Sequence, residues 1–399
     1  EVKTVEISER VSNIQPSATL ALSGKAKAMK AQGIDVLNLS IGQPDFNTPK
    51  HIGQAAIKAI ESGKVDFYTA AVGIEPLRKA IADKENADHG TDFTADNVVV
   101  MNGAKMTLYA LGQALFDEGD EVLIPLPYWV TYGEQVKLAG AKPVFVKPAA
   151  GRLTVVPEEL EAARTPKTKA MILNTPNNPS GAVYTREQLQ AIGDWAVEHD
   201  VIVIADDIYG KLVYNGTKFV SLLDLSPAIR KQTILVNGMS KTYSMTGWRV
   251  GYAIADEQVV KGLKTFLSHA AGNMAAVSQY AALAAITGDQ TCVEEMRTTY
   301  EKRINTLYPL LNEIPGFKLD VKPAGAFYAF PDVSEAVKLA GFASTDEFVS
   351  ALLDEAHVAV VPGAAFGMDD HVRISYATSM DVLKEAVRRI QAFMADHQK

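Results

Sequence analysis

Short apolar runs of the strand kind alternate with helix-spaced patterns through the middle of this chain, and no other feature limits the fold as much. Strands are expected at 97–101, 121–124, 143–146, 170–174, 201–205, 233–236 and 249–254, with helices at 105–115, 132–138, 186–199 and 258–269. The runs are apolar almost throughout, so both faces of each strand must be covered, which implies an α/β sheet between helical layers. From about residue 291 the pattern changes. Long helical stretches at 292–312, 345–356 and 380–396 enclose short strands at 317–321, 325–330 and 371–376, an α+β arrangement. With 399 residues, two domains are expected: a large one over 48–290, and a smaller one built from 1–47 and 291–399.

Composition removes several classes of function. The net charge of −8 leaves no clustered Lys and Arg to neutralise nucleic-acid phosphates or an anionic membrane. A single cysteine, Cys292, excludes an intrachain disulfide and a cysteine-based metal cluster, and fits a reducing cytoplasm. The seven histidines are scattered without HExxH or paired spacing, so no metal site is expected. Residues 1–10 lack the apolar core of a signal peptide. The most apolar stretch, 270–287, carries Asn273, Ser278, Gln279 and Tyr280, and reads as a buried helix rather than a membrane span.

In sheets of this kind ligands sit at the carboxyl ends of the strands, where several runs end in chemically useful residues. Lys241 follows the run 233–236 in a polar turn, and Arg249 comes eight residues later. An amine beside a clamped anion suits Schiff-base chemistry, for which pyridoxal phosphate is the leading partner. A lone surface lysine is the commoner fate, so the other needs of that cofactor decide. Asp206 ends the run 201–205, where a carboxylate would keep a pyridine nitrogen protonated, and Tyr209 could donate to a phenolic oxygen. The octet 174–181 holds Asn178 before a proline and so fixes its amide at a strand end. Asn102, Gly103, Ala104 and Lys105 link a strand to a helix, where small residues let backbone N–H groups approach a phosphate. Trp129 could offer a flat face to a ring, and Arg373 is a natural bidentate partner for a carboxylate. Each has an ordinary alternative: a turn, a good loop, core packing or a surface ion pair. No GxGxxG or Walker A run is present, which argues against a nucleotide site.

Together these segments resemble the fold-type I pyridoxal-phosphate enzymes, specifically class I aminotransferases of the bacterial aspartate aminotransferase branch. The resemblance starts at Pro16-Ser17-Ala18-Thr19 and Gly42-Gln43-Pro44-Asp45, continues through Tyr68 and Gly73 to Arg78, and ends at Arg373. It implies a mostly parallel seven-stranded sheet with a smaller α+β domain that closes on substrate. It also implies roles. Lys241 forms the Schiff base and shuttles the substrate Cα proton, Asp206 pairs with the pyridine nitrogen, and Tyr209 and Asn178 hold the phenolic oxygen. Trp129 stacks on the ring. The backbone of Gly103, Ala104 and Lys105, with Arg249 and Ser240, lines the phosphate. Arg373 binds the α-carboxylate, with Asn178 and the Gly42 backbone beside it. Tyr68 reaches the phosphate of a neighbouring subunit, so a homodimer with composite sites is implied.

The same resemblance makes aspartate or glutamate, with oxaloacetate or 2-oxoglutarate, the expected substrates. Their distal carboxylate needs a cation. Residues 268–276 contain neither Arg nor Lys, and Gln113 is placed near the position where another branch carries a lysine. Ser17 and Thr19 offer hydroxyls instead. Asp207 stands where the family often has Glu, and Gly238 where some relatives have Ser. An aromatic aminotransferase, a β-lyase or decarboxylase, and a binding protein that retains the cofactor are the alternative readings.

Overall fold

The computed structural model describes residues 4–398. Glu1, Val2, Lys3 and Lys399 lie outside the described residues, so the expectation for 1–10 and the outer limits of the smaller domain extend beyond them. Seven strands form the central sheet: β1 (Val98–Met101), β2 (Glu121–Pro125), β3 (Lys142–Val146), β4 (Thr168–Asn174), β5 (Ile202–Asp206), β6 (Thr233–Gly238) and β7 (Gly251–Ile254). Their order is β1-β7-β6-β5-β4-β2-β3. All neighbours run parallel except at β7, which is antiparallel to both β1 and β6. Each strand falls within two residues of its expected place.

Strand residues alternate between the two faces, and here both faces are dry. Val99 and Met101 pack with Ile124, Ile172, Ile204 and Val236 against Leu108 and Leu111 of α1 (Gly103–Leu115) and against Leu263. Val98 and Val100 point the other way, into Leu235, Tyr252, Ile52, Leu77 and Ile81. Each fully buried aliphatic side chain contributes about 1.5–3 kcal/mol relative to exposure. β3 lies at the sheet's edge, and its Phe145 is accordingly part-exposed.

A further core gathers both ends of the chain. α2 (Thr291–Asn312) turns Tyr300, Ile304, Leu307 and Leu311 inward at helical spacing, against Phe348, Leu383, Ile390 and Phe393. Leu37–Asn38 pairs in parallel with Val358–Ala359. Ile208 and Tyr209, from the turn after β5, belong to this same cluster, so the carboxyl edge of the sheet adjoins it directly.

Several expectations are corrected. No strand forms at 317–321, where Lys318 makes only an isolated bridge with Asp332 while Phe317 and Leu319 are buried. The strand expected at 325–330 is reduced to Tyr328–Ala329. β7 starts two residues late because Arg249 takes a left-handed φ of 56° after the tight turn Thr246–Trp248. The apolar stretch 270–287 is not one helix: Ala270 ends the helix Glu257–Ala270, Gly272 has φ 73°, and a new helix runs over Ala276–Thr287. No helix among the described residues is long and apolar enough to cross a membrane.

Gly251 brings β7 and the start of α1 into contact. A Cβ there would lie 2.3 Å from the Ala104 nitrogen and 2.3 Å from the Gly103 carbonyl carbon, both backbone atoms. Gly251→Ala is therefore expected to lower stability by about 1–3 kcal/mol, read as a lower urea midpoint; an unchanged midpoint contradicts this packing.

Candidate active site

The loops after β1, β4 and β5 and the loop joining β6 to β7 all leave the same edge of the sheet, because β7 runs backwards. They surround a cavity of about 460 Å³, lined also by Ser17, Thr19, Gly42, Tyr328 and Arg373. Six charged side chains line it: Lys27, Lys105, Lys241, Arg249, Arg373 and one acid, Asp206.

Asp206 is the last residue of β5 and is buried. Its Oδ2 accepts a 2.5 Å hydrogen bond from the Tyr132 hydroxyl, and its Oδ1 accepts from the Ile208 N–H at 3.3 Å. Burial pushes its pKa up to about 6, against the pull of Tyr132, the Ile208 N–H and Lys241. The adjacent Asp207 turns away from the cavity and accepts from Ser221 Oγ at 2.8 Å. Asn174 ties neighbouring loops together: its Nδ2 donates to the Asp206 carbonyl at 2.9 Å, and its Oδ1 accepts from the Asn178 N–H at 2.9 Å.

Lys241 donates to the Gly42 carbonyl, and its Nζ lies 5.9 Å from the centre of the Tyr209 ring. Its pKa is lowered to about 7, first by burial and then by the Arg373 and Arg249 charges, with Asp206 opposing. Arg373 is fully buried. Its Nη1 donates to Asn178 Oδ1 at 3.0 Å and its Nη2 to the Ser40 carbonyl at 2.8 Å, while its buried Nε has no partner. Among the described residues no carboxylate pairs with it, so this buried guanidinium is poised for an incoming acid group.

The start of α1 is prepared for an anion. Asn102, at its N-cap, makes no side-chain capping bond, so the first-turn N–H groups remain available. Gly103 has a φ of 86°, which strains any residue with a Cβ, and its bare Cα leaves room for the Arg249 guanidinium at this helix end. Ala104, Ser240 and Trp129 line the cavity beside it. A cradle for a phosphate, an amine for an aldehyde, an acid for a ring nitrogen and a donor for a phenolic oxygen are thus all present in one space, and the residues fit pyridoxal phosphate.

Tyr68 is 95% exposed and lines no part of this chain's cavity; the place expected for it is the site of a neighbouring subunit. One placement differs from expectation. Gln113 donates to the Leu138 carbonyl at 3.3 Å and is likewise absent from the cavity wall. A lysine that does line the cavity is Lys105, whose Nζ lies 5.1 Å from the centre of the Trp129 ring. Burial, and then Arg249, lower its pKa. Sequence reasoning assigned Lys105 a backbone role and overlooked its side chain; its position at the third residue of a helix leaving the phosphate turn was the available signal. Tyr132, Asn174, Lys27 and Tyr328 were also missed as lining residues, although Asn174 opens the octet 174–181 already singled out.

The sequence profile of the family "Aminotransferase class I and II" matches residues 34–390. The chain is 50% identical over 391 residues to an aspartate aminotransferase of Geobacillus stearothermophilus, covering 98% of this chain and 99% of that one. It is 49% identical to an asparagine–oxo-acid transaminase of Streptococcus mutans, with the same coverage. The aspartate aminotransferase structure from Rhizobium meliloti superposes with a TM-score of 0.93 at 38% identity, covering 98% of this chain and 99% of that one.

In the protein free of cofactor, Lys241 is charged below about pH 7 and neutral above it, whereas an ordinary lysine changes near 10.5. Competitive acylation followed by peptide mapping is expected to give Lys241 a midpoint near 7; a midpoint shared with the surface lysines contradicts the electrostatics described.

Proposed function

The chain belongs to the class I and II aminotransferases, and on that footing we propose that it moves an amino group between aspartate or glutamate and the corresponding 2-oxo acids, with pyridoxal phosphate held through Lys241. The observation that carries the substrate class is a pair of cations in one cavity: buried Arg373 without an acid partner, and Lys105 beside Trp129. Two anchors of that sign suit a dicarboxylate, whereas an aromatic side chain would leave Lys105 desolvated opposite an apolar ring.

When bound, pyridoxal phosphate supplies an aldehyde for the lysine and a ring that accepts the electron pair left on the substrate Cα. The chain does the rest. The α1 N-terminus, Ser240 and Arg249 hold the phosphate, and Trp129 covers one face of the ring. Asp206 holds a proton at the ring nitrogen, and Tyr132 keeps that carboxylate oriented. Tyr209 and Asn178 donate to the phenolic oxygen. Arg373, steadied by Asn178, binds the α-carboxylate near the Gly42 backbone, and Lys105 takes the distal one. Lys241, with its pKa near 7, is able to take the Cα proton and return it at neutral pH.

Tyr68 enters the phosphate site of a second copy of the chain, which makes the enzyme a homodimer. Its exposure, together with Phe67 at 78%, Ile57 and Ile60 at 55% each, supports an apolar surface of that kind. Residues 48–290 form the cofactor domain, and 1–47 with 291–399 the smaller one. The enzyme works in the cytoplasm, a setting that the single cysteine fits.

The test is to load the protein with pyridoxal phosphate, add single amino acids, and assay the oxo acid released. Aspartate and glutamate should each give one equivalent of oxo acid and the aminated cofactor. Phenylalanine as best donor, or pyruvate with ammonia, contradicts the reading. Lys241→Ala is expected to abolish turnover. Lys105→Met should lower kcat/KM for aspartate roughly 10- to 100-fold, the value of one charge-assisted bond, while alanine changes by less than about threefold.

A further inference from the structure

Tyr328 is fully buried on the short strand Tyr328–Ala329 and touches both halves of the site, yet nothing above gives it a task. Its hydroxyl lies 2.8 Å from the Tyr209 hydroxyl. Its ring centre lies 4.5 Å from the Arg373 guanidinium carbon. One side chain therefore meets the residue assigned to the phenolic oxygen and the residue assigned to the substrate carboxylate.

Counting protons decides the direction of the shared bond. Burial raises the pKa of both phenols, so each carries one proton at neutral pH. A phenol has a single proton to donate. If Tyr209 spends its own on the cofactor's phenolic oxygen, as the functional reading above requires, the bond between the two hydroxyls has to come from Tyr328.

We propose that Tyr328 is a positioning residue: it donates to the Tyr209 hydroxyl oxygen and thereby turns the Tyr209 proton toward the phenolic oxygen. The inference rests on the pyridoxal-phosphate reading of the site. A donor placed behind a donor also polarises it, strengthening the forward bond by roughly 10–30%. The charged and titratable groups facing the pair are Arg373 over the Tyr328 ring, Asp206 and Lys241 beside Tyr209, and the buried phenols Tyr300 and Tyr376. Phe327 packs edge-on to Tyr209 at 5.5 Å and is apolar. Among the described residues, Tyr328 is the one hydrogen-bond partner of the Tyr209 hydroxyl.

The experiment is a pH titration of the visible absorbance band of the cofactor-loaded protein, a readout independent of turnover. Donors to the phenolic oxygen favour most the deprotonated form, in which that oxygen's charge stands alone. Tyr328→Phe is thus expected to raise the midpoint by roughly 0.3 unit. In a Tyr209→Phe background the same substitution should produce no shift, because the residue through which it acts is gone. A midpoint unchanged in Tyr328→Phe overturns the inference. So does a shift that persists undiminished without the Tyr209 hydroxyl, which would assign the effect to Arg373 or to packing. If the wild-type chain gives no visible band at all, the functional reading fails first and carries this one with it.

Discussion

A guanidinium and a carboxylate, Arg373 and Asp206, both held out of water in one cavity are the constraint from which the rest of this structure follows. Five basic side chains and only Asp206 face the cavity. The buried charge of Arg373 is costly unless an anion shares the space. The fold supplies the means of holding it there. Parallel strands deliver their carboxyl ends to one edge, and the reversed strand β7 adds Arg249 to that edge from the opposite chain direction. The guanidinium of Arg373 is steadied by neutral partners only, Asn178 and the Ser40 carbonyl, which leaves its charge to be met by substrate.

That concentration of charge also accounts for the unusual titration of the reacting groups. Burial favours the neutral form of Lys241, and two arginines push in the same direction, so the amine is free of its proton near neutral pH. Asp206 is raised by burial yet keeps a short bond from Tyr132, which suits a group that shares a proton with a ring nitrogen. An acid tuned up and an amine tuned down within one cavity is the pattern expected of a proton-transfer site.

Much of this was legible before any coordinates. The seven sheet strands were readable because β-branched runs buried on both faces leave an unambiguous signature, as at Val98–Met101 and Ile202–Asp206. Lys241, Asp206, Asn178, Arg249 and Arg373 were readable because each follows or precedes such a run at the sheet's ligand edge, or lies in a motif that resembles the family. What escaped depends on tertiary contact. Residues 317–321 look like a strand but find no partner beyond the bridge of Lys318 to Asp332. Lys105 was hidden by its neighbours' backbone role, and its side chain enters the cavity only because α1 begins at Gly103, beside Arg249. Tyr328 sits far along the chain in a two-residue strand and is brought to Tyr209 by the smaller core alone.

The claim that all of this turns on one amine is open to a direct measurement. Reducing the cofactor-loaded protein with borohydride, digesting it and mapping the peptides by mass spectrometry locates the covalent anchor. The account predicts one pyridoxyl phosphate per chain, fixed on Lys241. A label on any other lysine, or none after reduction of a protein that has taken up the cofactor, contradicts it.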